Sequence, residues 1–172
     1  MTLYHSSNND LAPGDVIAPG NWGKMVFYSR VDHHLWKREM TLETMRIWSF
    51  AEKPSRLKCT FACDNLNTMV CYHVKENPEG FIYQVEAVDA HAPMHKGDFN
   101  AVAVPKGYPG NMWEIASRYW NYDLKSNMAE WPGIECSEIL VGSGLRVIQK
   151  IPGELIKKKA SELIVPSDPI QS

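Results

Sequence analysis

The stretch Glu138-Ile139-Leu140-Val141-Gly142-Ser143-Gly144-Leu145-Arg146-Val147-Ile148-Gln149-Lys150-Ile151 carries the clearest fold signal in the chain. Two apolar segments of strand length flank a Gly-Ser-Gly turn, the pattern of a β-hairpin over 138–141 and 145–151 and hence of antiparallel pairing. Working outward, residues 153–163 read as a closing helix. Upstream, 57–62 alternates Leu57, Cys59 and Phe61 with Lys58, Thr60 and Ala62, the period of a half-buried strand. The runs 69–74 and 81–88 read as further strands, and Asn111 caps a helix carrying Met112, Trp113, Ile115, Ala116, Tyr119 and Trp120.

Nearer the start, Leu3-Tyr4-His5 is a short first strand, and 25–28 (Met-Val-Phe-Tyr) has strand character. Asp32 is placed to cap a helix whose Leu35, Trp36, Met40, Met45 and Trp48 approximate one apolar stripe and which Pro54 ends. Residues 89–110, with Pro93, Pro105, Pro109 and three glycines, read as a long loop. Strands interspersed with helices around a turn-joined pair give an α+β fold built on a mainly antiparallel sheet.

The chain has 172 residues, 44% hydrophobic and 22% charged, which fits one globular domain over 1–172. No stretch has the length of a membrane span, so no membrane partner is expected. Residues 1–5 lack the basic and apolar regions of a secretory signal, from which a cytoplasmic location is expected. Four cysteines are too few for a disulfide scaffold at this length, and a net charge of −2 gives no global attraction to nucleic acid. Metal-ligand patterns are poor. Pro93 interrupts His91 and His95, and Cys59-x-x-x-Cys63 with His73 would need a geometry that the sequence does not supply, so no metal is expected.

Three segments carry a chemical signature. The first is Tyr4-His5-Ser6-Ser7, followed by Asp10-Leu11-Ala12-Pro13-Gly14-Asp15-Val16-Ile17-Ala18-Pro19-Gly20. The second is Phe27-Tyr28-Ser29 with Trp36 beyond it. The third is Cys136-Ser137-Glu138-Ile139-Leu140-Val141, with Leu145-Arg146-Val147-Ile148 after the turn. On these residues the chain resembles the ADP-ribosyltransferase superfamily. Its N-terminal part is most similar to the rifampicin ADP-ribosyltransferases, which open with Tyr-His-Gly-Thr and a loop Asp-Leu-x-x-Gly-Asp-Leu-Ile-x-Pro-Gly. The likeness spans 3–48 and 134–151; between them the sequence matches only as generic strands and loops.

The resemblance implies a split β-sheet with flanking helices, NAD as substrate and no metal. It implies that His5 grips the ribose, that Tyr28 stacks on the nicotinamide, and that Ser6 contributes main-chain contacts to the carboxamide. Glu138 would then stabilise the positive charge that spreads onto the ribose as its bond to nicotinamide breaks. Phe27 is an alternative to Tyr28, since one residue of slip exchanges the faces. Glu135 and Asp98 are alternatives to Glu138. Ser6 stands where these families usually have Gly. Cys136 stands where arginine-modifying relatives carry a second Glu, which argues against an arginine acceptor.

The expected activity is transfer of ADP-ribose to an acceptor left open among protein, nucleic acid, small molecule and water, the last being an NAD glycohydrolase. The rival readings are a non-catalytic module that binds NAD or ADP-ribose and an interaction protein on the same fold.

Overall fold

The computed structural model describes residues 1–28, 34–104, 107–123, 126–128 and 131–163. Strand β1 (Leu3–Ser7) is the hinge of its architecture. On one side β1 pairs with β4 (Phe81–Ala87), which pairs with β9 (Leu145–Lys150), which pairs with the two-residue β2 (Val16–Ile17). On the other side a single bridge, Tyr4 to Cys63, links β1 to the end of β3 (Thr60–Ala62). Strand β3 pairs with β8 (Ser137–Val141), and β8 with β5 (Met94–Asp98). The short β6 (Asn127–Met128) and β7 (Trp131–Glu135) form a separate ribbon. Every pairing is antiparallel, so the fold is mixed α+β with a mainly antiparallel, split sheet.

The expected hairpin is therefore a crossover: 138–141 and 145–151 are strands, but each belongs to a different sheet. Both edges of β8 are taken by β3 and β5, and both edges of β9 by β4 and β2. Burial reflects this. All five residues of β8 are buried, whereas β9 alternates in its first half, with Leu145 and Val147 inside and Arg146 and Ile148 outside.

Leu3, Tyr83, Val85, Leu145 and Val147 from one sheet meet Ala62, Ile139 and Val141 from the other in one apolar core. The opposite face of the strands carries the helices. There α3 (Leu66–Glu76) packs Met69 and Val70 on Cys63 and Ile82, with α6 (Gly153–Leu163) beside it. Helices α2 (His34–Ser49) and α5 (Met112–Asn121) cover Leu140 with Leu42, Ala116, Tyr119 and Trp120.

Three further expectations are corrected. Residues 25–28 lie in helix α1 (Asn21–Tyr28), which closes down on the chain at Gly23, where a β-carbon would come within 2.1 Å of the Leu57 carbonyl oxygen. Residues 69–74 are the body of α3, started by Asn65, whose side chain accepts the Asn67 amide. The region 89–110 contains β5 and the short helix α4 (Phe99–Val102).

Helix α2 forms as expected, but its fully buried face is Arg38, Glu39 and Leu42, while Trp48 is 75% exposed. Its proposed cap, Asp32, lies outside the described residues, as does Ser29. The Asn111 cap, the strand at 81–87 and the closing helix are as read from sequence. Among the described residues no helix is long and apolar enough to cross a membrane.

Candidate functional site

Tyr4 exchanges two main-chain hydrogen bonds with Cys63, both at 2.8 Å, so its amide and carbonyl face β3 rather than β4. By strand alternation the amide and carbonyl of Ser6 face the same way. The Ile82 carbonyl, opposite Ser6, agrees: it accepts from Ile151 on the β9 side. Yet the pairing of β1 with β3 stops at Tyr4. The strands part, and the Phe61 carbonyl, which a continued register would bring to Ser6, instead accepts Nδ1–H of His5 at 2.7 Å. The result is a break in the main-chain pairing of the two sheets, an opening in the hydrogen-bonded ladder bordered by the His5 ring and the main chain of Ser6.

A carbonyl can only accept, so Nδ1 of His5 carries the proton and Nε2 is left as an acceptor. Burial pushes the His5 pKa down, and the bond to Phe61 only partly offsets this, so the ring is neutral. The Ser6 side chain points away from the opening toward α3. Its hydroxyl accepts from Asn77 Nδ2 at 3.0 Å and is 3.1 Å from His73 Nδ1. Burial lowers the His73 pKa, so the imidazole is neutral and its Nδ1 is available to accept a hydrogen bond from the Ser6 hydroxyl. A side chain at this position thus leaves the opening clear.

Glu138 lies in the next strand but one. The β3–β8 register runs Thr60–Val141, Phe61–Leu140, Ala62–Ile139, and its continuation puts Cys63 between Tyr4 and Glu138. Two strand spacings, ~10 Å, therefore separate β1 from Glu138. The side chains leave on different faces. His5 shares its face with Leu3 and Tyr83, and Glu138 shares the helix-covered face with Tyr4 and Cys63, so the two side chains leave toward opposite faces and no hydrogen bond among the described residues joins them.

Glu138 is 8% exposed. Its Oε1 accepts the Tyr119 hydroxyl at 2.8 Å and is in close ion pairing with Arg56. Arg56 in turn donates from Nε to Glu39 at 2.9 Å, and Glu39 accepts Arg38 at 2.9 Å. Burial opposes charge on Glu39, but Arg56 and Arg38 outweigh it and hold its carboxyl below the usual value. The site thus contains a buried chain of alternating charge that the sequence did not reveal.

Tyr72 of α3 is a second residue missed. It is half-buried, meets Phe99 edge-on at 5.7 Å, and has its phenol pushed up to about 12 by burial and then by the charge of Glu138. The Asn65 cap and the i, i+4 spacing of Thr68 and Tyr72 are the signals that would have placed it on this helix.

Tyr28 is not brought to the site by any contact among the described residues. It ends α1 and stands 88% exposed, while Phe27 packs on Trp36 at 5.3 Å. Asp98 is occupied as a cap: its oxygens accept the amides of Asn100, Ala101 and Ser126 and the Ser126 hydroxyl. Glu135 pairs with Lys96 at 3.1 Å and with the Tyr122 hydroxyl, beside a polar cavity of about 320 Å³ that Asp64, Thr68 and Lys96 also line. Among the described residues no group of three His, Cys, Asp or Glu side chains is arranged to hold a metal.

No curated protein matches the sequence. A family model described as a protein of unknown function, DUF2441, matches residues 17–152, which takes in the Arg56–Glu138 network and Tyr72 but begins after β1. The chain belongs to the DUF2441 family.

Proposed function

We propose that the chain binds NAD at the opening between its two sheets and cleaves the nicotinamide–ribose bond, as an ADP-ribosyltransferase or NAD glycohydrolase. The observation that carries this reading is the parting of β1 and β3 after Tyr4. It leaves a neutral imidazole and the main-chain amide and carbonyl of Ser6 at one opening, two strands from Glu138. A carboxamide needs one donor and one acceptor side by side, and Ser6 offers both. Nε2 of His5 accepts a ribose hydroxyl.

Tyr72 takes the stacking role that sequence gave to Tyr28, since it lies on the face of Glu138 and feels its charge. As the C1′–N bond breaks, its electron pair stays on the pyridine nitrogen and nicotinamide leaves neutral. Glu138 stabilises the cation left on the ribose. Water or another acceptor then bonds to C1′ and loses a proton.

Nicotinamide release from NAD is the assay. Wild-type protein is expected to release it, and Glu138→Gln to lose release while NAD still raises the melting temperature. Release undiminished in Glu138→Gln would remove Glu138 from the mechanism. A second reading, binding of NAD without turnover, is favoured by one observation: Oε1 of Glu138 is already held by Arg56 and Tyr119. It predicts a melting shift with NAD and no nicotinamide release from wild type.

A further inference from the structure

We propose that Arg56 and Tyr119 are positioning residues that fix the Glu138 carboxylate with one oxygen presented to a bound ribose, an inference that rests on the functional reading above. Both donors converge on Oε1. Oε2 accepts from no donor among the described residues, and 11% of the side-chain surface stays open. Asp98 shows the contrast. As a helix cap with a purely local task it has both oxygens taken.

Neither donor is free to move. Tyr119 is fully buried, and its ring lies where a β-carbon on Gly97 would come within 2.4 Å of it. Gly97 is the cross-strand partner of Glu138, so the absent side chain opposite the glutamate makes room for the phenol that grips it. Arg56 is held from behind by Glu39, and its guanidinium lies 5.1 Å from the Phe61 ring centre and 5.0 Å from that of Tyr119. Phe61 is also the residue whose carbonyl fixes His5. One residue of β3 therefore touches the supports of both proposed substrate contacts, its carbonyl on the imidazole and its ring under the arginine.

The test measures kcat and KM for nicotinamide release in wild type, Tyr119→Phe and Arg56→Lys, with the NAD-induced melting shift as the binding readout. Both variants are expected to lose roughly tenfold to a hundredfold in kcat with KM little changed, as for a misplaced catalytic group.

Tyr119→Phe removes one oxygen and no bulk, so the test stands even if Arg56→Lys does not fold. A merely structural role would lower the melting temperature and leave kcat in place, and that result overturns the proposal. Wild type that binds NAD but releases no nicotinamide overturns turnover and positioning together. Full activity in both variants overturns positioning alone.

Discussion

The carbonyl of Phe61 and the ring of His5 are joined at 2.7 Å where the backbones of their strands have already separated. One side chain has taken the acceptor that a continuous sheet would have given to main chain. The bond sets the tautomer, so its loss should act on ligand binding more than on stability. His5→Phe is expected to remove most of the melting shift caused by NAD, while costing only about 1 kcal/mol in urea unfolding, the net worth of one hydrogen bond. An unchanged NAD response in a folded His5→Phe would separate this histidine from the ligand.

Ser6→Gly should retain NAD binding, because the hydroxyl is turned toward His73 and Asn77 and away from the opening. Ser6→Val should be the more damaging change to the fold. Both changes remove the hydroxyl that His73 and the Asn77 amide share, but Gly leaves room for a water to replace it, whereas Val fills that space and strands both partners, at a cost of about 1–3 kcal/mol. Chemical denaturation of the two variants side by side distinguishes them.

Glu39 joins two arginines and has no exposed surface. Glu39→Gln would leave the buried Arg38 without its counter-charge and Arg56 with Glu138 alone, with an expected loss of about 3–5 kcal/mol. The melting temperature reports it, and a loss below about 1 kcal/mol would show that the arginines find other partners.

Acid should weaken the fold through His95. Its ring donates from Nε2 to the Tyr119 carbonyl at 3.2 Å and packs on Trp120. Burial first, then the charges of Lys53 and Arg56, bring its pKa down to about 4. The unfolded chain takes up this proton near pH ~6.5, and the folded chain resists it. The stabilisation is therefore complete above ~6.5 and declines as pH falls toward about 4, by about 3 kcal/mol in the limit. His5 and His73, also lowered by burial, act in the same direction. Urea midpoints at about pH 7.5 and about pH 4.5 should differ less for His95→Gln than for wild type.

The parts of this fold that local pattern could announce were those whose burial follows one face. Phe81–Ala87 alternates, Asn111 caps a strongly apolar helix, and both were legible. Helix α1 was not, because four apolar residues in a row carry no period, and the Gly23 approach to Leu57 is set by chain far away in sequence. Helix α3 buries Thr68, Met69, Val70 and Cys71 consecutively, which reads as a strand unless Asn65 is weighed as a cap.

The site divided in the same manner. His5, Ser6 and Glu138 stood out in short motifs, whereas Arg56 has no local mark. Its meaning depends on Glu39, Tyr119 and Glu138, which lie 17, 63 and 82 residues away. Tyr28 was given a strand position because its apolar run has strand character, whereas the run is helix α1 and leaves the ring exposed.

The bridge between Tyr4 and Cys63 has a further consequence for how copies of this protein behave at high concentration. By stitching the two sheets side by side, it leaves their seven strands with two outer borders, β2 and β5, where separate sheets would have had four. One of those borders is only Val16–Ile17, too short to template pairing with another molecule, and the other lies against α5. A chain rich in buried β-structure is thereby given little purchase for edge-to-edge aggregation.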